Sequence, residues 1–133
     1  MIGIDTNVLL RHILDDDVTQ SPIATAFLMD DSRVTEPALV NPVLLVELVW
    51  TLMRRESFGK PVILDLLDVL VRSRRIAFTD ERAVIAAIEG WRRGKADFPD
   101  YLIRHLNRQA GATRTMTFDG DAAMEPGFSR LTA

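Results

Sequence analysis

Five acidic residues stand where a hard cation could be gathered. Asp5 closes the apolar phrase Ile2-Gly3-Ile4, and Asp119 closes Thr115-Met116-Thr117-Phe118. Glu47 interrupts the otherwise apolar run from Val43 to Trp50, and Asp97 and Asp100 bracket Phe98-Pro99. Each has an ordinary structural reading. Asp5 and Asp97 suit helix N-caps, Asp100 suits a first helical turn, and Asp119 before Gly120 suits a turn. Glu47 is the least ordinary. At helical spacing it meets Val43, Leu44 and Trp50, so either a cation or arginine partner (Arg11 or Arg54) compensates it, or its helix turns it to solvent. No basic residue stands at helical spacing from it, which favours a metal. Clustered carboxylates repel one another and raise each other's pKa unless a counter-cation joins them. Oxygen ligands without Cys or His suit Mg²⁺ or Mn²⁺ rather than zinc. Such an ion lowers the pKa of bound water and neutralises charge on a phosphodiester, so the donor set points to phosphoryl-transfer chemistry, hydrolysis included.

Positioning these residues requires a folded scaffold, and the bulk properties allow one. The 133 residues are 47% hydrophobic and 26% charged, ordinary values for one compact domain with a core, and residues 1–133 are read as a single domain. There is no cysteine, hence no disulfide framework and no thiolate ligand or nucleophile. No apolar run has membrane-span length, and the first residues lack the basic-then-apolar order of a secretory signal, so a cytoplasmic protein is expected. A net charge of −3 does not advertise nucleic-acid binding. Basic residues gather at Arg54-Arg55, at Arg72, Arg74 and Arg75, and at Arg92, Arg93 and Lys95. Most are expected to be solvated helix ends, with a few able to flank a phosphate-binding groove.

Strand-length apolar runs alternate with segments of helical period. Strands are expected at residues 1–4, 38–41, 75–78 and 113–118, with a short fifth near 130–132. Helices are expected over 6–14 (Leu9, Leu10, Ile13 and Leu14 inward), from Ser21-Pro22 (Ile23, Ala24, Phe27 and Leu28), and over 43–56 and 61–73 (Ile63, Leu66, Leu67 and Leu70). A further helix is capped by Thr79 or Asp80 (Val84, Ile85, Ile88 and Trp91), and another covers 98–110 (Leu102, Ile103, Leu106 and Ala110) before Gly111 stops it. The alternation predicts an α/β fold, with a mostly parallel sheet of four to five strands flanked by helices. Ligand sites in such sheets lie beyond the carboxyl ends of the strands, where Asp5 and Asp119 stand.

Taken together, the phrases Met1–Arg11, Val46–Trp50, Ala96–Ile103 and Thr117–Asp121 resemble the PIN-domain ribonucleases, in particular the VapC toxins of bacterial toxin–antitoxin pairs. The phrases occur in family order and at family spacing over almost the whole chain. The resemblance implies an αβα sandwich and Mg²⁺ or Mn²⁺ held by Asp5, Glu47, Asp97 and Asp119. It implies RNA cleavage by metal-activated water, leaving 5′-phosphate and 3′-hydroxyl ends. Asp100 and Asp121 would be auxiliary acids, with the choice of Asp97 or Asp100 as direct ligand left open. Thr6, Asn7 and Thr117 would orient carboxylates or water. Asn41, followed by Pro42, stands where many relatives carry Ser or Thr, and its amide can still bond a site group. The family forms homodimers and is inhibited by a small antitoxin whose DNA-binding domain lets the complex repress its own operon. Three rivals are set against this: a His12/His105 acid–base nuclease, a phosphatase or phospho-acceptor domain with Asp5 as nucleophile, and a catalytically weak PIN-like protein-interaction module.

Overall fold

The computed structural model describes residues Met1–Ala133, which divide into two compact units, Met1–Thr79 and Asp80–Ala133. In the first unit, β1 (Ile2–Gly3) leads into α1 (Thr6–Leu14) and α2 (Gln20–Met29). A 3₁₀ turn at Asp31–Val34 follows, then β2 (Ala38–Val40), α3 (Pro42–Met53), α4 (Lys60–Arg72) and β3 (Ile76–Phe78). The three strands form a parallel sheet in the order β1-β2-β3, with Ile2 opposite Ala38 and Ala38 opposite Ile76. In the second unit, α5 (Glu81–Arg93) and α6 (Phe98–Gln109) precede β4 (Thr115–Thr117), the one-turn α7 (Gly120–Ala123) and β5 (Phe128–Arg130). β4 and β5 pair in parallel, with Thr115 opposite Phe128. The α/β class and the parallel pairing are those expected, with the five strands grouped as three and two.

Parallel strands exit on one side of their sheet, and that places the first unit's polar residues. Asp5 follows β1 as N-cap of α1, and Asn41 follows β2 as N-cap of α3, with Pro42 in the first turn where its missing N–H costs nothing. On α3 the buried stripe is Leu44, Leu45, Leu48, Val49 and Leu52. Val43, Glu47 and Trp50 share the other side, with Val43 68% and Trp50 59% exposed. The apolar neighbours of Glu47 thus form a solvent-facing strip and not a cage around it. Of the alternatives drawn for this residue, the helix turns it outward.

In the second unit the core lies between α5 and α6. Ala83, Val84, Ala87, Ile88 and Trp91 face Phe98, Tyr101 and Leu102, and the Trp91 and Phe98 rings tilt together at 5.7 Å. Gly90 lets the Tyr101 ring approach, since a β-carbon there would stand 2.6 Å from it. Because Phe98 and Tyr101 take the inward stripe, Ile103 turns out to 49% exposure, and Ala110 is exposed. Ile85 on α5 and Ile23 on α2, both expected inward, are likewise exposed. Helix ends fall close to the expected positions. Gly111, at φ 102°, carries the left-handed residue that follows α6, and Asp80, at φ 54°, precedes α5 without a side-chain cap bond. The last strand lies at 128–130, earlier than the expected 130–132, because the tight turn at Gly127 (φ 85°) starts it sooner. The 3₁₀ turn and α7 have no periodic apolar pattern to announce them.

Candidate metal centre and nucleic-acid site

In the first unit, Asp5 is exposed and its Oδ1 accepts the Val8 N–H at 3.3 Å, the ordinary N-cap bond. The positive end of the α1 dipole therefore faces this carboxylate and stabilises its charge. One residue on, Thr6 donates from Oγ1 to Glu47 Oε1 at 3.2 Å, tying the start of α1 to the middle of α3. Neither arginine considered as a partner for Glu47 serves it. Arg11 donates to Gln20 Oε1 at 2.7 Å and lies 3.7 Å from Asp16, while Arg54 stacks on the Trp50 ring at 3.8 Å. Glu47 thus has one neutral hydroxyl as its partner. Asn41 uses its Oδ1 to cap α3 at Leu44 N–H, 3.0 Å, and bonds no acid. Asn7 and Asp5 line a cleft of about 700 Å³ between β1, α1 and α2, with Arg11, Gln20 and Phe27 also on its walls.

In the second unit, Asp97 is the exposed N-cap of α6, and its backbone N–H donates to Asp100 Oδ2 at 3.1 Å, half of a capping box. Asp100 is half-buried. Burial holds its pKa above the usual carboxylate value, and the nearby charges of Asp97 and Asp119 push the same way. Asp100 therefore feels both neighbouring carboxylates, a repulsion a divalent cation would relieve. Asp119 caps α7, its Oδ1 accepting the Ala122 N–H at 2.8 Å, while its own N–H donates to Thr117 Oγ1 at 3.0 Å. Asp121 sits exposed in the first turn of α7.

The chemistry of this donor set suits a hard cation. Asp5, Glu47, Asp97 and Asp119 are all exposed oxygen donors, and in Asp5, Glu47 and Asp119 the bonds above engage one carboxylate oxygen and leave the other available. Within neither unit do three or more His, Cys, Asp or Glu side chains converge into a coordination shell. The histidines are committed elsewhere. His12 Nδ1 bonds Thr25 Oγ1 at 2.8 Å, and His105 Nε2 lies 3.0 Å from Arg104 Nη2. Guanidinium can only donate, so Nε2 accepts and the His105 ring is neutral. Burial first, then Arg104 and Arg108, holds its pKa below the usual histidine value.

Residues 2–125 match the PIN-domain family. The chain belongs to that family. PIN domains are in general metal-dependent nucleases that use Mg²⁺ or Mn²⁺ on nucleic acids. No curated protein and no solved structure matches the chain. No helix of this PIN domain is long and apolar enough to cross a membrane.

One feature of this PIN domain has no signature in the sequence pattern, and a second has only a faint one. The tie from Thr6 to Glu47 joins residues 41 positions apart and needs the sheet to bring them together. The basic clusters that the pattern does show are largely absorbed locally. Arg55 faces Asp16 at 3.5 Å, Arg75 faces Asp31 at 3.3 Å, and Arg92 and Arg93 face Glu89. A less conspicuous set, Arg104, Arg108 and Arg114, lines a cavity instead. The spacing of four between Arg104 and Arg108 is the signal that could have found it.

Tyr101 stabilises the turn that presents Asp97. Its hydroxyl oxygen accepts the Ala96 N–H at 3.2 Å, and it hydrogen-bonds the Glu125 carboxylate. Burial and the Glu125 carboxylate push its pKa up to about 12. It is the only tyrosine in the chain, so its ionisation can be read directly from ultraviolet absorbance. The folded state holds this proton more tightly than the unfolded chain, whose tyrosine titrates near pH 10. The stability it contributes is therefore complete below about pH 10 and is lost as pH rises towards about 12. Absorbance should show no phenolate at pH 10.5 in the native protein and substantial phenolate in 6 M guanidinium at the same pH. Equal phenolate in both would contradict the buried environment.

Proposed function

We propose that this PIN domain is a Mg²⁺- or Mn²⁺-dependent endoribonuclease acting as the toxin of a VapC-type toxin–antitoxin pair. In this reading residues 1–133 make one catalytic domain. Asp5, Glu47, Asp97 and Asp119 are the metal ligands, Asp100 and Asp121 are auxiliary acids, and Thr6, Asn7, Asn41 and Thr117 position them. The observation that carries the reading is the pairing of family phrases with available oxygens. Each of the four acids stands in a phrase typical of these nucleases, and each is exposed to solvent.

The bound ion would activate a water and neutralise charge on the scissile phosphodiester. The remaining work falls to the chain. The N-cap bonds hold Asp5 and Asp119 in fixed rotamers at helix starts, so little order is lost on ligation. Thr6 fixes one Glu47 oxygen and leaves the other to a ligand. Burial and the nearby Asp97 and Asp119 charges oppose ionisation of Asp100, an opposition that a bound cation would relieve.

The reading places the protein in the cytoplasm as a homodimer with RNA as substrate. A cognate antitoxin inhibits it, and that partner supplies the only link to DNA. Exposed Val43, Trp50 and Met53 on α3, with Val62 and Val69 on α4, offer apolar surface that suits protein partners. The same surface is what a catalytically weak interaction module would use. End-group analysis separates these readings. Incubation of an RNA pool with the protein and Mn²⁺ should yield fragments with 5′-phosphate and 3′-hydroxyl ends, and none in EDTA. Cyclic phosphates that persist in EDTA would assign the activity to histidine chemistry, and no cleavage under any metal would favour the interaction module.

A further inference from the structure

The second unit is electrically polarised along α6. Its N-terminal end carries Asp97 and Asp100, whereas Arg104 and Arg108 lie towards its C-terminal end. These two arginines, with Arg114, Thr113, Thr115 and Gly127, line a cavity of about 320 Å³ that contains no acidic residue. The chain as a whole carries a net charge of −3, so the lining of this cavity runs against the overall balance.

The three guanidinium groups are held differently. Arg104 is fixed. It donates to the Pro126 carbonyl and to His105 Nε2, and it lies 5.3 Å from the Tyr101 ring centroid and 5.6 Å from that of Phe128. Gly127 is required beside it, since a β-carbon there would stand 2.8 Å from the Arg104 stem. Arg108 and Arg114 are exposed, and neither has a carboxylate partner. Thr115 Oγ1 accepts from Asn107 Nδ2 at 3.1 Å, which leaves its own proton to donate. A fixed arginine, two unpaired arginines and a hydroxyl donor form a set suited to phosphate oxygens, as an acceptor-only anion requires.

We propose that this cavity binds the sugar-phosphate backbone of a single-stranded RNA whose scissile bond lies at the acidic end of α6. The proposal rests on the nuclease reading for the identity of the polyanion, and on the cavity for its place. From Asp100 to Arg108 is eight residues along α6, about 12 Å of helical rise. A stacked strand rises about 3.4 Å per nucleotide, so the spacing corresponds to three or four nucleotides from the cut. No aromatic side chain lines the cavity for base stacking. Recognition there is of backbone and independent of sequence, a handhold that sets how the strand lies and not which bases it carries.

The test measures binding of fluorescein-labelled 12-nucleotide RNAs of two unrelated sequences in EDTA, by anisotropy over a series of KCl concentrations. Arg108→Gln, Arg114→Gln and the double variant are compared with wild type, since both residues are exposed and their replacement spares the core. Each single change should weaken binding of both RNAs about three- to tenfold. The slope of log affinity against log salt should fall by about 0.7 for each phosphate that an arginine no longer neutralises. Wild-type affinity and slope retained in the double variant would overturn the proposal, as would absence of wild-type binding. Displacement of the RNA by polyglutamate at equal charge would reassign the cavity to an acidic protein segment. Binding that depends on both arginines, in a protein that cuts no RNA with Mn²⁺, would leave the cavity assignment standing and remove the nuclease reading.

Discussion

Replacing Asp5 with Asn should lower Mn²⁺-supported RNA cleavage by at least about 100-fold while leaving the fold intact. Loss of a group that merely supports a metal ligand costs about 10- to 100-fold, and a direct ligand should cost no less. The substitution is informative because of what it preserves. Asp5 Oδ1 caps α1 through the Val8 N–H, and Asn is as good an N-cap as Asp. Helix content and melting temperature should therefore change little, and the lost activity reports the missing charge. Asp119→Asn follows the same logic, because its Oδ1 caps α7 and an amide oxygen can replace it. Glu47→Gln keeps the acceptor for Thr6 and removes the charge. Cleavage within about threefold of wild type in all three variants would remove these carboxylates from the reaction, since removal of a true ligand cannot cost so little.

The largest effect on stability is expected at Tyr101. Its side chain is fully buried, and it packs where Gly90 permits close approach of α5. Truncating a buried aromatic to Ala costs about 3–5 kcal/mol, partly from reduced apolar burial and partly from the cavity left behind. That is a large share of the total stability of an ordinary domain. Tyr101→Phe isolates the polar contribution. It keeps the ring and removes the acceptor for Ala96 N–H and the bond to Glu125, at a cost of about 1–2 kcal/mol. Because the Ala96 turn presents Asp97, the Phe variant should also lower activity modestly under conditions where it remains folded. Urea unfolding of both variants checks the order. Equal midpoints for Tyr101→Ala and wild type would mean that α5 and α6 pack without this ring.

Much of the scaffold is legible in the sequence, for a simple reason. The apolar periods of α1, α4 and α5 are regular, and short apolar runs ending in Asp5 and Asn41 mark strand ends. The face each helix turns inward is harder to read. On α3 almost every position is apolar, so period alone cannot say that Leu44, Leu45 and Leu48 are buried while Val43 and Trp50 face out. The surroundings of Glu47 depend on that choice. On α6 two aromatic residues outcompete Ile103 for the interior because they bury more area. The acids are legible as a set, since their phrases recur in a known family. Their local bonds are not, because the bond from Thr6 to Glu47 joins residues far apart in sequence. The Arg104, Arg108 and Arg114 cavity is hidden for the same reason, since Gly127, at the turn before β5, completes it.

The central claim is that the Asp5, Glu47, Asp97 and Asp119 carboxylates jointly hold a divalent cation. Thermal unfolding of wild type and Asp5→Asn, followed by circular dichroism over a Mn²⁺ titration in a nuclease-free buffer, tests it without any RNA. A ligand that binds only the folded state adds about 2.7 kcal/mol at a hundred times its dissociation constant. Wild-type melting temperature should climb steadily with log Mn²⁺ concentration, and the climb should be largely abolished in Asp5→Asn. A wild-type melting temperature that ignores Mn²⁺, or an Asp5→Asn curve that rises in parallel with wild type, would contradict the account.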